Sequence, residues 1–221
     1  MLIARRKDEA EYPQLWDGLV GAWYPGAGPS GTRLYDFSGR DNHGTLTNGP
    51  VWGTSTGRQA LSFDASDDFV SVNSTATQTS MSFWIYSLGS PDRYIIDWRT
   101  GGGANAFLYR SGTLFPSSGT CYVNGIQSTT LPVNVWSSVV INGINSTLST
   151  TPVRIGSHNS ITGFCMSSSI ADMMWFSRQL SVGEINLLAR RPGIAFELAP
   201  RRFYSLPPSS ARLRRILTGA T

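Results

Sequence analysis

Short runs in which apolar residues are continuous, or alternate with polar ones, recur along the chain between clusters of Gly, Pro, Asn, Asp and Ser. They are Gly18–Tyr24, Gln59–Asp64, Asp68–Val72, Met81–Tyr86, Tyr94–Trp98, Ala106–Tyr109, Thr120–Val123, Trp136–Ile141, Val153–Gly156 and Ser169–Phe176. Each is of strand length, and most are rich in Val, Ile, Phe, Tyr or Trp. Recurrence every ~8–15 residues is the spacing of a two-sheet antiparallel sandwich or barrel. Asn124-Gly125, set between Tyr122-Val123 and Ile126, predicts a hairpin, because a type I′ turn needs two positive φ angles.

One helix is legible. Ser181-Val182-Gly183-Glu184 has the form of a capping box, Ile185, Leu188 and Ala189 then share a face, and Pro192 ends the run. Beyond it come Arg190-Arg191-Pro192-Gly193, Phe196, Pro200-Arg201-Arg202-Phe203-Tyr204, Leu206, Pro207-Pro208 and Arg212-Leu213-Arg214-Arg215. This pattern is basic and proline-punctuated, with isolated large apolar residues, and it predicts an extended arm without a core of its own.

Composition agrees with strands and turns. Of 221 residues, 29 are Ser, 19 Thr, 23 Gly and 12 Pro, while charged residues make up 14%, well under the ~25% usual for soluble domains. No apolar run approaches the ~20 residues of a membrane span. The stretch Met1–Glu9 lacks the apolar segment of a secretory leader, so Cys121 and Cys165 are expected as buried thiols. The sequons Asn73-Ser74-Thr75 and Asn145-Ser146-Thr147 imply glycans only in a secretory compartment, to which no leader is expected to send the chain.

The net charge of +4 is unevenly divided. Residues 1–11 sum to zero and residues 12–189 to −2, while residues 190–221 carry seven Arg against Glu197 alone. A nucleic-acid-binding fold would spread cations over its folded face. Lys7 is the only lysine, so the arm's cations are all Arg, suited to bidentate and stacked contacts.

The order of signals resembles the LamG-like jelly-roll domains of the concanavalin A-like lectin/glucanase superfamily. The residues that carry this are Gly18–Tyr24, Tyr35-Asp36-Phe37-Ser38-Gly39-Arg40-Asp41-Asn42-His43-Gly44-Thr45-Leu46, Ala60–Val70 and Met81–Ile85. They continue with Tyr122–Gly125, the Trp136 strand, Arg154-Ile155-Gly156, Ile170-Ala171-Asp172 and Arg178–Ser181. The resemblance spans Leu19 to Leu188. The helix followed by an Arg-Arg-Phe-Tyr arm is similar to LamG-type proteins of tailed bacteriophages.

Several chemistries can be weighed on these residues. Glycosidases of the superfamily use paired carboxylates, spaced about 5–10 Å apart. The body holds one Glu, Glu184, already explained by its cap, and no Glu-x-Asp-x-x-Glu run, so no catalytic residue is assigned. Neither His43 nor His158 is accompanied by a Gly-x-Ser-x-Gly elbow. The resemblance implies calcium on the sandwich rim as the one candidate cofactor, with Asp36, Asn42, Asp64 and Asp68 as ligands of the hard oxygen type. Two isolated Cys and two His lack zinc spacing. Trp84, Tyr86 and Trp98 are the candidate glycan platform, against the alternative that strand tryptophans fill the core.

The expectation is therefore an all-β, two-sheet antiparallel jelly-roll sandwich with one short C-terminal helix and an extended basic arm. Residues 1–17 form an N-terminal segment, 18–189 the jelly roll and 190–221 the arm. The arm is expected to dock on protein through Phe196, Arg201, Arg202, Phe203, Tyr204 and Leu206. The expected function is a tailed-phage virion structural protein, a non-enzymatic capsid decoration protein. It would be made in the host cytoplasm, would be homo-oligomeric, and would bind the major capsid protein or neighbouring subunits, with no membrane or nucleic acid as partner. An adhesin for surface glycans is the alternative, and a glycan hydrolase stands third.

Overall fold

The computed structural model describes residues 3–73, 77–89, 93–98, 106–146, 152–158 and 164–200. In chain order its strands are β1 (Leu19–Trp23), β2 (Arg33–Leu34), β3 (Gly44–Thr47), β4 (Val51–Ser55) and β5 (Arg58–Ser62). They continue as β6 (Phe69–Val72), β7 (Gln78–Ser87), β8 (Arg93–Asp97), β9 (Ala106–Arg110) and β10 (Thr113–Pro116). The last are β11 (Thr120–Val123), β12 (Ile126–Gln127), β13 (Trp136–Ser146), β14 (Val153–Ile155) and β15 (Ser168–Phe176), followed by helix α1 (Val182–Leu188). All ten runs read from the sequence contain a strand.

Two antiparallel sheets form a sandwich. One has the order β12-β11-β13-β7-β15-β5-β4, with β1 also on β15; the other runs β10-β9-β8-β14-β6-β3-β2. Alternate residues of both sheets meet in a core that includes Phe83, Phe107, Trp23 and Trp175. The two tryptophans meet edge to face at 4.5 Å, the geometry that ring quadrupoles favour. Cys121 and Cys165 are buried thiols outside any disulfide, and burial pushes the Cys121 thiol up to about 12.

Local signals are realised where expected. Asn124 and Gly125 have φ of 52° and 81° and join β11 to β12 as a hairpin. The Ser181 hydroxyl accepts the Glu184 N–H at 3.3 Å, and the Glu184 carboxylate accepts the Ser181 N–H at 2.9 Å. The capping box thus supplies partners for backbone donors that the helix leaves open.

The expected domain boundaries are corrected by a second core on the outer face of the first sheet. There Val140, Met174 and Phe176 are covered by Ile3, Leu15, Leu188, Ile194 and Phe196. Strand β15 is consequently buried along its whole length, one face in each core. Residues 3–17 and 190–199 are therefore parts of the domain. They pair with each other: Ala4 N–H donates to Phe196 O at 2.8 Å, Glu11 N–H to Glu197 O at 2.8 Å, and Ala199 N–H to Glu9 O at 2.9 Å. The physical reason is the large apolar patch that strands β13, β15 and β1 present outward, which a single short helix cannot cover.

Candidate functional site

Phe196, expected as an anchor for a partner, is 1% exposed. Its ring stacks on Tyr24 at 4.9 Å and meets Phe37 at 5.9 Å and Trp16 at 6.1 Å. It is withdrawn from the docking set, because this pocket of rings already desolvates it. The other five residues of that set, Arg201, Arg202, Phe203, Tyr204 and Leu206, lie outside the described residues.

The clasp around Phe196 is locked by a buried acid. Strand β15 changes its outer neighbour from β5, at Ile170, to β1, at Met173, and the ladder with β7 is irregular between Ile170 and Asp172. There Asp172 accepts Trp84 N–H at 3.1 Å and Gly193 N–H at 2.6 Å. Burial raises its carboxyl to about 7, against the lowering effect of these two N–H groups and of Arg58. Gly193 has φ of 74°, and a Cβ there would stand 2.5 Å from Tyr24 Cζ, so this turn requires glycine on both counts.

The expected glycan platform is also corrected. Trp84 is 6% and Trp98 2% exposed. Trp84 Nε1 donates to Leu188 O at 3.0 Å, and the Arg58 guanidinium lies 5.6 Å from its ring. Tyr86 packs on Trp136 at 5.7 Å. Trp136 Nε1 in turn donates to Thr56 Oγ1 at 2.6 Å, and Ser169 Oγ donates to Ser55 Oγ at 3.1 Å. The β4–β5 turn is thereby fixed to this part of the sheet, and Trp84 and Trp98 have no open face for a sugar.

The calcium candidates divide between two turns. Asp36 Oδ1 accepts Ala22 N–H and Ser38 N–H; its Oδ2 accepts Ser38 Oγ–H and Asn42 N–H. Four donors fill the lone pairs of a carboxylate. Asn42 donates to Val20 O and accepts the Trp23 indole N–H on its backbone carbonyl. This pair ties β1 to the following loop and is not a metal site. Asp64, Asp67 and Asp68 do approach, with one oxygen of each within 4.8 Å of the others, and such oxygens are the donors Ca²⁺ takes. Asp68 is buried and accepts Asp64 N–H at 3.1 Å. Burial, opposed by that bond and aided by the neighbouring acids, raises its carboxyl.

A cleft of about 520 Å³ opens elsewhere, lined by Tyr24, Tyr35, Phe37 and Trp52 with Arg5 and Asp36 among the polar groups. It lies where edge strand β4 of one sheet meets edge strand β2 of the other, and Trp52 Nε1 donates to Gly31 O at 2.6 Å across the seam. Trp52 packs on the inter-sheet core, whereas Tyr24 and Phe37 pack on the second core. Tyr35 is 46% exposed, with the Arg33 guanidinium 5.2 Å over its ring. Arg5 reaches the cleft because its neighbour Ala4 is paired to Phe196. None of these rings was singled out from sequence as a binding surface. Tyr35 and Phe37 were visible only as part of a turn motif, and the seam arises from contacts between distant segments.

No protein-family model matches the chain, and no curated protein matches it. Solved structures share its fold at low identity. Trypanosoma rangeli sialidase in complex with sialic acid is 12% identical, with a TM-score of 0.56 over 78% of this chain and 32% of that one. The binding domain of Paraclostridial Mosquitocidal Protein 1 is 14% identical, with a TM-score of 0.57 over 80% and 52%. The receptor binding domain of botulinum neurotoxin mosaic serotype C/D is 17% identical, with a TM-score of 0.54 over 79% and 51%. The chain thus spans a third to a half of these proteins. The likeness is to β-sandwich folds, found in an enzyme and in binding domains alike.

Proposed function

We propose that this chain is a non-catalytic structural protein of a tailed-bacteriophage virion. In this reading a LamG-type jelly roll is displayed on the particle, and the segment after Pro200 ties it to the major capsid protein or to neighbouring copies. One observation carries it. The β domain closes on itself through the pairing of residues 4–11 with residues 196–199, and residues 201–221 then follow with five Arg and no acid, interleaved with Phe203, Tyr204 and Leu206. In this reading these groups serve attachment, and their mixture of aromatic and guanidinium chemistry suits a protein surface. Three acids support a non-catalytic reading: Asp36 is saturated with donors, Asp172 is enclosed, and Glu184 is held by the helix cap and by Arg178.

A second reading, an adhesin for surface glycans, is favoured by the aromatic cleft at the sheet edges. Mass spectrometry of density-purified particles of the phage that encodes the chain tests the first reading. The protein should be present in fixed ratio to the major capsid protein. Its absence from the particles would refute the virion assignment.

A further inference from the structure

We propose that the edge cleft binds a saccharide carrying a carboxylate, such as a uronic or sialic acid unit. This rests on the adhesin reading of the cleft and adds the class of sugar. Three features of the cleft converge on it. Its volume of about 520 Å³ lies within the ~300–1,000 Å³ of small-ligand sites. Four aromatic rings line it, and rings of this kind offer apolar faces against which the C–H faces of a pyranose can pack. One arginine in the lining and a second beside it supply the charge. Arg5 is in the lining and Arg33 lies over Tyr35, and neither guanidinium is in an ion pair among the described residues. A guanidinium outside any ion pair, beside aromatic rings, matches a planar carboxylate through two parallel N–H bonds, and Arg5, which also feels the charge of Glu9, is exposed enough to turn to one.

The remaining charge in the lining does not oppose this. Asp36 turns all its lone pairs to Ala22, Ser38 and Asn42, so it offers a sugar hydroxyl no free acceptor and acts as a scaffold for the loop. A neutral sugar would leave Arg5 unused. A nucleic-acid strand would meet a body whose residues 12–189 sum to −2, a poor field for a polyanion.

The test uses the full 221-residue protein. Calorimetric titration compares trigalacturonic acid with its methyl ester, and 3′-sialyllactose with lactose, beside an oligothymidylate. At least one acid should bind with a Kd below about 1 mM and roughly tenfold more tightly than its neutral counterpart. Arg5→Ala should remove that tenfold preference, because the side chain is exposed and its loss leaves the fold intact. Tyr35→Ala should weaken the acid and its neutral partner alike by roughly tenfold. Equal affinity for acid and neutral sugar, failure of both acids to bind, or tighter binding of the oligonucleotide would each overturn the proposal. Particle incorporation of Arg5→Ala, followed separately, keeps this outcome distinct from the virion reading, which predicts wild-type incorporation.

Discussion

Tyr24 and Phe196 lie ring on ring, with centroids 4.9 Å apart and planes 8° from parallel. Tyr24 follows the first strand and Phe196 belongs to the last described turn, so this stack joins the two ends of the fold. Truncating a buried Phe costs about 3–5 kcal/mol. Phe196→Ala should therefore lower stability by that amount in urea unfolding. It should also release residues 3–11, seen as faster exchange of the Ala4 and Glu11 amides, which are bonded to Phe196 O and Glu197 O.

Asp172 predicts a pH dependence. Its carboxyl is raised to about 7 in the fold, first by burial, and returns to roughly 3.9 on unfolding. Between these values the native state holds a proton that the unfolded chain has lost, so stability falls as pH rises from about 4 to about 7, by at most ~1.4 kcal/mol per pH unit. Below that window both states are protonated, and above it neither is. Chemical denaturation of the wild type and of Asp172→Asn across it should show the difference between them falling as pH rises. A constant difference would mean that the carboxyl is not raised in the fold.

Arg178 is the strut between the N-terminal segment and the helix. Its Nε donates to Asp17 O at 2.8 Å, its Nη2 to Gln14 O at 2.9 Å, and its Nη1 to Glu184 Oε2 at 3.0 Å. These bonds need the planar fork of a guanidinium. Arg178→Lys should cost about 1–3 kcal/mol despite keeping the charge, measured as a lowered Tm, while Arg40→Lys at an exposed loop should leave Tm unchanged.

What could be read in the sequence follows from how local each signal is. The strands around Phe83, Val139 and Ile170 announce themselves by their own apolar pattern, and the helix by the Ser181–Glu184 box. The short strands β2, β3, β4 and β10 were missed, because Arg33-Leu34 or Thr113–Pro116 has too little alternation to stand out. The role of Phe196 was missed for a different reason. Trp16 donates its indole N–H to Ala195 O across 179 residues, and no local pattern reports a contact of that span. The cleft was hidden in the same way, since Arg5, Tyr35 and Trp52 meet only after both sheet edges and both ends of the domain are in place.

The proposed partition, a closed domain up to Pro200 and an attachment segment after it, predicts a division of labour within the segment. Burying an aromatic side chain contributes roughly 1.5–3 kcal/mol, and a rim ion pair about 0–1 kcal/mol. Phe203→Ala or Tyr204→Ala should thus reduce occupancy on the particle more than Arg212→Ala. The opposite ranking would mean that charge holds the segment.

Co-sedimentation of the full chain and of a chain ending at Pro200, each with particles that lack the protein, tests the account most directly. The shorter chain should unfold with the Tm of the full one and fail to co-sediment. The full chain should stay bound at about 0.5 M salt, where the Debye length is well below its ~10 Å value at 0.1 M. A chain ending at Pro200 that co-sediments as well as the full protein would contradict it.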